Sequence, residues 1–230
     1  MRWSILSLIL ALAGPAARAD DGILGVLARS QQLRLEQIAP ADATSARAGV
    51  VRASFDALVQ ALHPVHPVEL RVIRGEIVAE TMQGRVVLAN EKLADLGEGE
   101  RLFILAHELG HVELQHWGET ELLYLKWVPG AVTPEQTDPI AGPLGHDASG
   151  LAHRQELEAD AFALNTLHAL GRPWSDGLAA FMQLGVTQDT ATHPGTRKRV
   201  ASLRAAEAQW ATQRQAATRN DPIVSVSRPD

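Results

Sequence analysis

The sequence predicts a mostly helical α+β domain in which a small sheet of two or three strands packs on one deeply buried helix. Three observations carry that expectation. Apolar residues recur at helical spacing from Asp20 to about Leu62 and again from Leu151 onward. Only two short runs, "VELRVI" (68–73) and "GRVVLA" (84–89), read as strands: the first alternates apolar and charged residues, the second is β-branched. From Gly97 to Trp117, apolar side chains fall nearly all round a helix, the mark of burial on most sides.

Taken in order, "ILGVLARSQQLRLEQIAP" and "TSARAGVVRASFDALVQAL" are two helices. They are separated by "APAD", with Asp42 or Thr44 as the capping candidate. "HPVHP" (63–67) ends this block, because its prolines hold the chain extended. The two strand runs and the central helix follow. Residues 128–150 are rich in Pro and Gly and read as a long irregular segment, suited to a lid over a site. Helices are expected over Leu151–Leu170, Trp174–Leu184 and Pro194 to about Ala217.

At 230 residues the chain is long enough for one sizeable core and short for two. A net charge of -6 offers no basic stripe for nucleic acid. The absence of cysteine excludes disulfides and thiolate metal sites, so any metal must be held by histidine and carboxylate. Residues 1–19 have the form of an export signal: "MRW", an apolar "SILSLILALAG", then "AARA", with cleavage expected between Ala19 and Asp20. That leaves a single domain over 20–217 and a flexible tail over 218–230, in the periplasm or outside the cell. Once Arg2 and Arg18 are removed, 27 acidic residues face 19 basic ones. No later apolar run approaches spanning length, so the mature chain is not expected to insert in a membrane.

The chemistry concentrates in "ILAHELGHVELQHW" (104–117). His107 and His111, four apart on a helix, lie about 40° from each other and can share one zinc ion. Glu108 lies about 100° round from His107, where it can reach a water at the metal without ligating it. On an unbroken helix His116 lies about 140° from His111, towards Leu105, Leu109 and Val112, and reads as a packed or capping residue. A third ligand is therefore needed. Glu156 and Asp160 in "RQELEADAFAL" (154–164) share one face beside the stripe of Leu157, Ala161 and Leu164, with Glu158 turned to solvent. Glu156 is the expected ligand and Asp160 the acceptor of a ligand histidine's ring N–H; the two roles are interchangeable at this level, and His153 is a minor competitor. His193, held by Pro194 and followed by Arg197 and Arg199, fits an oxyanion stabiliser, a cap on the metal, or merely the start of a helix.

In this order and spacing, across roughly residues 45–207, "AHELGHVELQH", "ELEAD" and "HPGTRKRV" resemble the gluzincin metallopeptidases. Within them, the likeness is to the group containing HtpX, the CAAX prenyl endopeptidases, Oma-type proteases and the periplasmic BepA-like enzymes. The resemblance implies a zincin-like peptidase fold and one zinc ion per chain, held by His107, His111 and Glu156. It also implies Glu108 as general base, Asp160 as an acid behind the ligands often described as a proton donor, and catalytic parts for His193 and Arg199. The implied activity is zinc-dependent endopeptidase action on protein or peptide substrates, unfolded or damaged envelope proteins among them, bound as an added strand along "GRVVLA". A zinc-bound holdase with little proteolysis shares the fold and the metal and is the competing expectation. The chain departs from the group in two ways. It has no membrane-spanning run beyond the signal, and "EIVAETMQGRVVLANEKL" lacks the Asn-Ala expected before the glycine of the edge strand.

Overall fold

The computed structural model describes residues 22–220. Helices α1 (Ile23–Gln37) and α2 (Ala46–Leu62) precede three strands, β1 (Glu69–Ile73), β2 (Ala79–Met82) and β3 (Val86–Asn90). Then come α3 (Glu98–Glu113), α4 (His116–Trp127), the single turn α5 (Pro134–Thr137), α6 (Ala141–Ala169), α7 (Ser175–Leu184) and α8 (Thr196–Asn220). This is the expected α+β arrangement, mostly helical, with one small sheet. The signal segment 1–19 lies outside the described residues. Of the expected tail, 218–220 continue α8 and the rest lies outside the described residues.

The sheet runs in the order β1-β3-β2, with β1 parallel and β2 antiparallel to β3. All five residues of β3 are buried, because helices cover both faces. Strand alternation sends Val87 and Ala89 into the main core with α2, α3 and α6. Val86 and Leu88 go into a smaller cluster with Leu35 of α1, Ile73 and Met82. Between β2 and β3 the chain turns through Gln83, Gly84 and Arg85; the first two have positive φ (52° and 64°), and Arg85 N–H donates to the Met82 carbonyl at 3.1 Å. Asn90 closes the other end of the sheet by donating its amide to the carbonyls of Gly75 and Ile77.

Several sequence expectations need correction. The strand β2, "AETM", escaped notice because its alternation covers four residues and only Met82 is fully buried. Its neighbour "GRVVLA" is the central strand and cannot accept an added peptide; β2 is the free edge. The supposed continuous helix 97–117 breaks at Gln115, which takes a left-handed φ of 56°, and α4 starts at His116. Finally, most of 128–150 is helical. Pro134, Pro139 and Pro143 each fall in the first turn of a helical segment, where a missing N–H costs no hydrogen bond. The cap of α2 is also neither Asp42 nor Thr44 but Ser45, whose hydroxyl accepts from Ala48 N–H at 3.3 Å.

Helix α3 is buried along twelve of its sixteen residues, from Gly99 to Val112. Its main neighbour is α6, which presents Ala159, Ala163, Leu164 and Leu167, all at most 1% exposed. Gly110 lets the two helices approach: a Cβ there would stand 3.1 Å from Phe162 Cβ. Overpacking of this kind typically costs about 1–3 kcal/mol. Gly110→Val is therefore expected to lower the unfolding free energy by that amount, read as a lower urea midpoint at unchanged slope. A midpoint equal to that of the unmodified chain would show that the helices do not need the glycine.

Candidate metal centre

The site forms where α3 and α6 touch. One turn apart on α3, His107 and His111 bring their Nε2 atoms to 3.2 Å from each other. From α6, Glu156 adds Oε2 at 3.6 Å from His107 Nε2 and Oε1 at 3.5 Å from His111 Nε2. Helix propensity and the apolar stripe of α6 explain this placement. Glu156 and Asp160 lie on the same face as Ala159, Ala163 and Leu167, so packing the stripe carries both carboxylates inward. Glu156 is 6% exposed and Asp160 1%.

The donor set fits zinc. Four ligands at about 2.0–2.1 Å from a tetrahedral ion stand about 3.3–3.4 Å from one another. Here the two imidazole Nε2 atoms are 3.2 Å apart, and each has one oxygen of the Glu156 carboxylate at 3.5–3.6 Å, a spacing compatible with three donors around one such ion. Glu156 Oε2 is buried and accepts no hydrogen bond among the described residues, although Arg199 Nη1 lies 3.2 Å away. Two buried carboxyl groups, Glu156 and Asp160, share the guanidinium of Arg199, and a third, Glu108, is buried close by. A dication would balance that deficit.

Behind the donors, Asp160 Oδ1 lies 3.0 Å from His107 Nδ1. Fixing one ring nitrogen as a donor leaves Nε2 as the lone pair that faces the ion. Arg199 grips the same carboxylate with two bonds, Nε to Oδ2 at 2.8 Å and Nη2 to Oδ1 at 2.6 Å. Burial pushes the Asp160 carboxyl upward, but Arg199 and the His107 hydrogen bond outweigh it and hold it below the usual range. Burial likewise works against Glu156, and His111, His107 and Arg199 prevail, keeping it ionised. Asp160 is thus a carboxylate held in place by Arg199 and His107. Arg199, with each of its three nitrogens on a carboxylate within 3.2 Å, is committed to Asp160 and Glu156 rather than to an oxyanion.

Glu108 is buried beside the pair, and Thr81 of β2 puts its hydroxyl 2.8 Å from both Glu108 Oε2 and the Glu108 carbonyl. His193 lies in the segment before α8, not in the helix itself. Its Nε2 is 3.6 Å from Glu156 Oε1, and its side chain is 59% exposed. Its Nδ1 is held by Thr192 Oγ1 at 2.8 Å. His153 does not reach the centre; its Nε2 meets the carbonyl of Thr190 at 2.7 Å and pins the segment that carries His193.

Two residues at the centre went unrecognised in the sequence. Thr81 sits in the strand that was missed. His116 was assigned to the wrong face, because the helix break at Gln115 swings it back to place Nδ1 2.8 Å from His111 Nδ1. Burial, with His111 beside it, pushes the His116 imidazole down to about 4.

Residues 77–131, about a quarter of the chain, match the family model of Peptidase family M48. The matched span holds β2, β3, α3 and α4, with His107, Glu108 and His111, and stops before Glu156. It supports a metallopeptidase. No curated protein matches the chain.

Removing a partner from a buried ion pair costs about 3–5 kcal/mol, because the remaining charge is stranded. Arg199→Ala is expected to destabilise the protein by that order in chemical denaturation. A variant of unchanged stability would return Arg199 to a solvent-facing, substrate-directed part.

Proposed function

We propose that this protein is a zinc-dependent metalloendopeptidase, with His107, His111 and Glu156 holding one zinc ion and Glu108 as the general base. The observation that carries the reading is the convergence of two imidazole nitrogens and one carboxylate, with a buried glutamate one residue after the first histidine. The match to Peptidase family M48 supports it independently. When bound, zinc supplies Lewis acidity, acidifying water and polarising a carbonyl.

The chain's own residues divide the remaining work. Thr81 holds Glu108 Oε2, which leaves Oε1 to take the proton of the attacking water and deliver it to the departing amine. Asp160, held by Arg199, orients His107, and Arg199 also helps to keep Glu156 ionised. His193, exposed and close to Glu156, is the group suited to donate Nε2–H to the oxyanion.

The substrate is read as an extended, unfolded segment added to β2. Among the described residues, no backbone group of Ala79–Thr81 is hydrogen-bonded beyond its pairing with β3. Strand addition draws its affinity from main-chain bonds and demands little of the sequence, which suits damaged or unfolded proteins. The export signal at residues 1–19 motivates a periplasmic or extracellular site of action and envelope proteins as substrates. Among the described residues no helix is long and apolar enough to cross a membrane, so a substrate presented in the aqueous phase is favoured.

Glu108→Gln should retain one zinc per chain by elemental analysis and lose casein cleavage by about 10²–10⁴-fold. Cleavage by the unmodified chain should stop with a chelator and return with added zinc. Cutting by Glu108→Gln at the full rate would remove Glu108 from the mechanism. A zinc-loaded chain that binds unfolded casein without cleaving it would make the protein a holdase.

A further inference from the structure

Outside the ligand triangle, a second group gathers where α4 meets α6: His116, Glu119 and Glu158. His116 is 3% exposed, and its Nε2 makes no hydrogen bond, although Glu158 Oε2 lies 3.3 Å away. At first sight this is a second metal site. The proton on the neighbouring ring argues otherwise.

If His111 Nε2 faces zinc, the neutral ring carries its proton on Nδ1. That Nδ1 stands 2.8 Å from His116 Nδ1, so His116 must accept there with a lone pair. A neutral His116 then carries its own proton on Nε2, and a protonated ring nitrogen cannot ligate a metal. The carboxylates beyond are also occupied. Arg154 bridges them, with Nη1 3.2 Å from Glu158 Oε1 and Nη2 3.2 Å from Glu119 Oε2, and Gln155 donates to Glu119 as well. A cation already stands where a metal would have to enter. Glu158 Oε2, 3.3 Å from His116 Nε2, supplies a carboxylate facing that N–H.

We propose that His116 is a positioning residue for the metal centre: it accepts the Nδ1 proton of His111, fixing that ligand's tautomer and ring plane, and passes its own Nε2–H to Glu158. The inference rests on the zinc reading above. It gives the two ligand histidines matching supports, a carboxylate behind His107 and an imidazole–carboxylate pair behind His111. It also explains the left-handed Gln115. On an unbroken helix His116 would face away; one residue at φ 56° turns it onto His111, and Gln155 holds the turn by donating to the His116 carbonyl at 2.9 Å.

The test uses the full chain. His116→Phe keeps the ring volume without an acceptor, and His116→Asn restores an oxygen near the place of Nδ1. Zinc affinity by chelator competition is expected to fall about 10–100-fold in the Phe variant and to recover most of that in the Asn variant. In the zinc-loaded unmodified protein, ¹⁵N-histidine NMR should show His111 protonated on Nδ1 and His116 protonated on Nε2 only. The NMR measurement needs no variant to fold. Equal zinc affinity in all three proteins, or His116 protonated on Nδ1, would overturn the relay while leaving the metal centre intact. Two zinc ions in the unmodified chain and one in His116→Phe would make His116 a ligand instead. Failure of the unmodified chain to bind zinc would end both the relay and the peptidase reading.

Discussion

Everything at the centre depends on how closely α3 and α6 approach. A zinc-sized ion tolerates only a few tenths of an ångström in its ligand positions, yet the proposed ligands His107 and Glu156 come from different helices and lie 49 positions apart in the chain. Small residues meet the demand. Gly110 and Ala106 on α3 oppose a stripe on α6 in which Ala159 and Ala163 alternate with Leu164 and Leu167. The carboxylates Glu156 and Asp160 belong to the same stripe. Apolar packing therefore sets the distance between the polar groups, and the hydrophobic core acts as the ruler for the metal.

Packing carboxylates on a core stripe carries an electrostatic cost, and α8 offsets it. Arg199 arrives from a third helix, stacks 4.9 Å over the Phe181 ring, and faces both Asp160 and Glu156. A guanidinium stays charged in such a setting, and its planar fork matches a carboxylate edge with two bonds. The same contacts fix the direction of His107 through Asp160. One cation thus stabilises the fold and orders the ligand, which ties the stability of the helical core to the competence of the centre.

The parts legible in the sequence are those governed by local periodicity. His107 and His111, and Glu156 and Asp160, each stand four residues apart, and a helix converts that spacing into a shared face whatever the tertiary context. The parts that were not legible depend on backbone choices without a local signature. Gln115 is an ordinary residue in a left-handed conformation, so nothing in "VELQHW" announces that the helix ends and His116 turns back. The strand "AETM" is too short and too little buried to show its period. Pro and Gly between 128 and 150 suggested a loop, because composition does not reveal that Pro134, Pro139 and Pro143 each fall in a first turn, where helices accept them.

The edge strand joins substrate and chemistry in the proposed reaction. β3 is paired on both sides and buried on both faces, so a peptide can extend the sheet only along β2 or β1, and β2 is the strand beside α3. Thr81 belongs to that strand and holds Glu108 through one hydroxyl. Any shift of β2 that accompanies strand addition is therefore felt by the base directly, at a distance of one hydrogen bond. A strand-forming substrate that seats well aligns its own carbonyl and the carboxylate together, whereas a folded protein, unable to present an extended segment, gains neither. On the proposed reading, selectivity for unfolded chains would follow from sheet geometry, with no side-chain pocket required to recognise them.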